Sequence, residues 1–183
     1  ISRAYPSVDH LDLLAGVDAA LETGYVDEQR LYVGGCSGGG VLSSWMIGHT
    51  DRFAAAAVRC PVVNWLSMLG TTDIPDYTRS IFPKPIRQDP PDGLKPSSIM
   101  YVGNVTTPTL VMTGEKDLRT PMAQSEEYYA ALKVQGVPAQ LMRFNEEYHG
   151  TSSKPSNAMR TMAYMMAWYN QWTEDGEVTD SDE

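Results

Sequence analysis

The run RLYV, residues 30–33, passes without a linker into GGCSGGG, residues 34–40, and from there into VLSSWMIG. A short apolar run that meets a glycine cluster and then a helical pattern dictates a strand, a tight turn and a helix, in that order. Three further runs read as buried strands: FAAAAVRC at 53–60, PTLVMTG at 108–114 and PAQLMRF at 138–144. Between and around them lie helical patterns. Val8, Leu11, Leu14, Ala15, Val17 and Leu21 recur at helical spacing, with Ser7 as the expected N-cap and Gly24 as the stop. Further helices are expected near 38–49, at 121–136 between Pro121 and Gly136, and from about Pro155 to Trp172. Alternating strands and helices predict an α/β fold, a parallel sheet with helices on both faces.

The chain has 183 residues, enough for one domain over 1–172 without a staple. Seven prolines fall between Pro61 and Pro96, so a long covering loop is expected there, with one short helix around Asn64–Leu69. Met159, Met162, Met166 and Tyr169 form one stripe of the last helix and are read as core packing. The end, 173–183, is acidic and is expected to be a disordered tail. A net charge of -9 without a Lys/Arg cluster argues against nucleic acid, and no apolar run is long enough to cross a membrane. Two cysteines and no visible leader make a cytoplasmic setting the expectation.

Ligands of open α/β sheets sit beyond the carboxyl ends of the strands, and three residues suited to acyl transfer fall there. Ser37 follows the first strand, Asp117 lies in TGEKDLRTP after the third, and His149 lies in NEEYHG after the fourth. Their chain order, Ser, Asp, His, is that of α/β-hydrolases. His149 would serve as general base and Asp117 as its orienting carboxylate, while the Gly38 N–H at the helix start would face a developing oxyanion. The letters also permit a G-x-C-x-G register centred on Cys36. They do not permit a phosphate loop, because neither the Walker pattern nor G-x-G-x-x-G fits in any register. No metal or cofactor is expected. His10 and His49 are read as surface or capping residues.

The segments YVDEQRLYVGGCSGGG, TPTLVMTGEKDLRTPMAQSEEYYAAL and FNEEYHG resemble the catalytic domain of the prolyl oligopeptidase family, nearest its acylaminoacyl-peptidase-like branch. The resemblance implies an α/β-hydrolase fold and a serine peptidase, often with carboxylesterase activity, acting on a peptide or acyl-ester substrate. It places the nucleophile in G-x-S-x-G-G seven residues after a basic residue, as Ser37 follows Arg30. The Cys36 register resembles dienelactone hydrolase, which fits the downstream segments less well. Cys60 is read as a buried thiol close enough to Cys36 for a bond to be conceivable. The resemblance also makes Val41, Val62, Asn64 and Trp65 candidate pocket lining and sets Arg119 near the site, with a salt bridge to loop acids as its alternative role.

One departure matters. Only 36 residues precede Ser37, and they hold one helix. The N-terminal strands of the sheet, with the turn that supplies a second oxyanion donor, are therefore expected outside this chain. The first strand is expected to present an edge that needs a missing N-terminal portion, a partner chain or a homo-oligomer to cover it. A catalytically silent binding or assembly piece is the alternative to an enzyme.

Overall fold

A computed structural model describes residues 5–77, 81–82 and 94–173. The expected acidic tail lies outside these from residue 174 on, as do parts of the proline-rich segment. Four strands, β1 (Tyr32–Cys36), β2 (Ala55–Arg59), β3 (Thr109–Gly114) and β4 (Ala139–Phe144), form one parallel sheet in the order β1-β2-β3-β4. The helices are α1 (Asp9–Glu22), α2 (Gly38–Ile47), α3 (Trp65–Thr71), α4 (Met122–Val134) and α5 (Pro155–Gln171). Each strand and helix named in the sequence is present within a few residues of its expected bounds. Two short 3-10 turns, Pro75–Tyr77 and Ser98–Asn104, were not foreseen in the long segment.

Side chains along a strand alternate between faces, and the two packed layers obey that period. Ala56, Val58 and Val111 face one side, where Met46 and Ile47 of α2 and Tyr128 and Leu132 of α4 bury them. Ala55, Leu110, Met112 and Phe144 face the other, under Trp168, Met165 and Tyr169 of α5. Helices thus cover both faces, as a parallel sheet requires. β1 pairs only with β2, so among the described residues its outer side is an open edge. No helix among the described residues is long and apolar enough to cross a membrane.

Two helix expectations are corrected. The N-cap position of α1 is Val8, one residue after the expected Ser7, and the Ser7 N–H donates to the Asp9 carboxylate at 2.7 Å. The methionine stripe of α5 is not core. Met159, Met162 and Met166 are 74, 59 and 56% exposed, because the helix docks through Asn157, Thr161, Met165, Trp168 and Tyr169. Of the predicted stripe only Tyr169 packs inward, where it stacks on Tyr32 at 4.6 Å.

Candidate active site

The register of the sheet brings the strand ends to one rim. Cys36 stands opposite Arg59, and Gly114 opposite Phe144, so the turns that follow all four strands emerge on the same side. Ser37 occupies the first of these turns with φ 60° and ψ −118°, a conformation that L-residues adopt only under constraint. The constraint is visible. Ser37 N–H donates to the Arg59 carbonyl at 3.2 Å, and its own carbonyl accepts from Val41 N–H at 2.9 Å as the first turn of α2. Gly40 makes the approach possible, since a Cβ there would overlap the Arg59 carbonyl oxygen. Gly38 begins α2, and Tyr5 reaches it by donating its hydroxyl to the Gly38 carbonyl at 2.8 Å.

Asp117 is buried in the turn after β3. One carboxylate oxygen accepts the N–H groups of Arg119 and Thr120, each at 2.9 Å. The other accepts the Thr120 hydroxyl at 3.0 Å and the Nδ1–H of His149 at 2.8 Å. His149 comes from the turn after β4, whose carbonyls at Glu147 and Tyr148 lie so close to Gly114 that a Cβ there would collide with both. Glu147 anchors the same turn. Its buried carboxylate accepts from Ser153 N–H and Oγ–H, Lys154 N–H and Asn157 Nδ2–H at 2.5–3.2 Å, tying the turn to the start of α5. Burial pushes the Glu147 carboxyl up, but the hydrogen bonds from Ser153, Asn157 and Lys154 outweigh it and hold the group at about 2.

Ser37 and His149 line one pocket of about 350 Å³ together with Gly38, Val41, Val62, Trp65, Arg119 and Thr120. Behind it Val41, Val62, Trp65, Met68, Ile81 and Phe82 form an apolar cluster. Asn64 is not in the lining. Its side-chain oxygen caps α3 by accepting from Leu66 and Ser67 N–H, and its amide donates to Glu127 at 2.8 Å, so the group is occupied elsewhere. Arg119 lines the pocket and also pairs with Asp73 at 2.7 Å. Gln124 ties down the segment between Val62 and Trp65: its side chain accepts from Val63 and Asn64 N–H and donates to Ser67. Tyr5, Met68, Ile74, Tyr77 and Thr120 also line the site and were missed. Thr120 alone had a sequence signal, as the hydroxyl that follows the Asp117 turn within DLRTP.

Cys36 and Cys60 are joined in a disulfide with their Cα atoms 5.3 Å apart, so Cys60 is not the free buried thiol expected, and the bond that the sequence left open is present. A disulfide sulfur carries no thiolate, which removes Cys36 as the nucleophile in this state. His10 and His49 lie outside the pocket, packed with Trp45; His49 stacks on that indole at 4.1 Å. Burial, and then the neighbouring His10, lower the His49 pKa despite its bond to the Trp45 carbonyl.

The model of the prolyl oligopeptidase family matches residues 1–176, and the chain belongs to that family. It is 36% identical over 179 residues to the acylamino-acid-releasing enzyme of Arabidopsis thaliana, covering 91% of this chain and 23% of that protein. It is 33% identical to the peptidase YuxL of Bacillus subtilis, covering 91% of this chain and 26% of YuxL. The puromycin-hydrolyzing peptidase of Mycobacterium tuberculosis superposes with a TM-score of 0.88 at 25% identity, over 94% of this chain and 26% of that one. The fold is thus the corresponding part of an α/β-hydrolase. The chain spans about a quarter of the length of these relatives.

Proposed function

We propose that this chain carries the catalytic triad of a serine peptidase that cleaves peptide or N-acyl-peptide bonds, with Ser37 as nucleophile, His149 as general base and Asp117 as the carboxylate behind it. The observation that carries the reading is the 2.8 Å His149–Asp117 bond at the wall of the same pocket that holds the strained Ser37 turn. Asp117 fixes the imidazole with Nδ1–H toward itself, leaving Nε2 unprotonated to take the Ser37 proton. The Ser37 oxygen then adds to the scissile carbonyl, and the oxyanion develops toward the Gly38 N–H at the start of α2, where the helix dipole also favours it. Collapse of that intermediate transfers the proton from Nε2 to the leaving amine, and water repeats the sequence on the acyl-enzyme.

The apolar wall of Val41, Val62, Trp65 and Met68 suits an apolar side chain on the acyl side of the cut. The open edge of β1 supports the further reading that the remaining sheet, with a second oxyanion donor, is supplied from outside these residues. One missing donor would cost about 10²- to 10³-fold in turnover.

A fluorophosphonate probe tests the assignment. Labelling is expected on Ser37, lost in Ser37→Ala and strongly slowed in His149→Ala. Labelling that persists in folded Ser37→Ala, or a failure of the folded wild type to label at all, overturns it.

A further inference from the structure

The disulfide partners lie beside the proposed base. Cys36 ends β1, Cys60 follows β2, and His149 comes from the turn after β4, yet the sulfurs and an imidazole nitrogen all lie within 4.8 Å of one another. We propose that reduction of the Cys36–Cys60 disulfide converts these three residues into a binding site for zinc or a similar thiophilic divalent cation, and that the bound ion shuts off the active site.

The ligand set has the required chemistry. Two thiolates and an imidazole are the borderline-soft donors that zinc prefers over oxygen-only sites. Around a tetrahedral zinc with bonds of about 2.0–2.3 Å, donor atoms sit roughly 3.5 Å apart, so the imidazole nitrogen needs to close by about 1.3 Å at most, while the two sulfurs, bonded at about 2.0 Å in the disulfide, separate by about 1.5 Å once that bond is cut. Asp117 already holds Nδ1–H of His149, the arrangement that orients a ligating histidine and raises its basicity, and Nε2 keeps the free lone pair. Cys60 is buried, whereas His149 is partly exposed through the pocket, giving the ion a way in. Three protein ligands leave a fourth position for water.

The bookkeeping of atoms is simple. A dithiol donates two electrons and two protons to the disulfide and itself becomes a disulfide, leaving Cys36 and Cys60 as thiols. The metal then displaces two thiol protons and takes the Nε2 lone pair. That lone pair is the one that would accept the Ser37 proton, so one atom cannot serve both. The oxidised protein holds its imidazole free, and the reduced, metal-loaded protein does not. The effect on activity rests on the triad proposed above, but the binding does not.

Cobalt(II) titration of the purified protein, reduced with a phosphine and freed of metal, reads the site directly. One cobalt per chain is expected, with a thiolate-to-metal charge-transfer band that zinc abolishes. The oxidised wild type, which needs no mutation, should show no band, and reduced Cys60→Ser should lose it. Zinc at ten times its dissociation constant should slow fluorophosphonate labelling about tenfold in the reduced protein and leave the oxidised protein unaffected. The same cobalt spectrum before and after reduction, or no thiolate band after reduction, overturns the site. A cobalt band with unchanged labelling overturns the shut-off. Failure of the oxidised, metal-free protein to label refutes the triad instead, and the cobalt result then judges the site alone.

Discussion

Glu147→Gln tests whether a buried carboxylate, rather than apolar packing, holds the turn that presents His149. The substitution keeps volume and shape but replaces an acceptor of four hydrogen bonds by an amide with a single acceptor oxygen. The carboxyl stands at about 2 in the fold against 4.5 ordinarily, and that gap converts to about 3 kcal/mol in favour of the ionised form. The turn lies at the rim of the sheet, where water screens part of this, so a net loss of about 2 kcal/mol is expected. For a chain of this size that is a fall of roughly 4–8 °C in melting temperature. The pH dependence gives the sharper assay. Because the folded pKa is depressed, the contribution is fully present above about 4.5 and disappears as pH falls toward 2. Urea midpoints of wild type and variant should therefore differ at pH 7, with equal slopes, and converge as the solution is acidified. Equal midpoints at pH 7, or a difference that persists undiminished near pH 2, would refute the reasoning.

Gly40→Ala should prevent the Ser37 turn from closing on β2, since the new methyl overlaps the Arg59 carbonyl; soluble yield and fluorophosphonate labelling should both collapse. Gln124→Met keeps the volume but strands the Val63 and Asn64 N–H groups, and thermal unfolding should report a loss of about 2–3 kcal/mol. Val41→Phe should fill part of the 350 Å³ pocket, raising KM for acyl groups with large apolar side chains while small ones are processed as before. A fall in kcat alone, equal for all substrates, would place Val41 outside the specificity pocket.

The parts of this molecule that were legible in its sequence are those whose cause is local. PTLVMTG reads as a buried strand because both of its faces are covered, and all six residues of β3 are indeed buried. The Ser37 turn is legible because a strained strand-to-helix turn needs glycine on either side, and DLRTP because the turn that closes on Asp117 is built from its own next three residues. Asn64 was misassigned by a local competition: a side chain one residue before a helix can face a ligand or cap the helix, and the two N–H groups of α3 claimed it. The stripe on α5 failed for a different reason. That helix carries apolar residues on more than one face, and which face docks is decided by what the sheet and the His149 turn offer it, Leu110 and Phe144 for Trp168 and the Thr151 hydroxyl for Thr161.

The polar clamps were the least legible. Gln124 bonds a loop some 60 residues away, and Tyr5 bonds Gly38 across 33 residues, so neither leaves a pattern of spacing. Yet these side chains explain how loops can hold chemistry to within hydrogen-bonding distance. A helix laid on a sheet by apolar contact can slide by fractions of an ångström at little cost, because dispersion and area burial are not directional. A buried amide or carboxylate that must satisfy several fixed N–H groups tolerates no such shift, since each broken bond leaves a donor desolvated. Glu147 and Gln124 fix the turns that carry His149 and the pocket wall in this way, on a sheet whose apolar layers only bring those turns near. The division of labour has a consequence for mutation: core truncations in α4 or α5 should lower stability while leaving the His149–Asp117 bond in place. Changes at the clamps should loosen that bond in a protein that still folds.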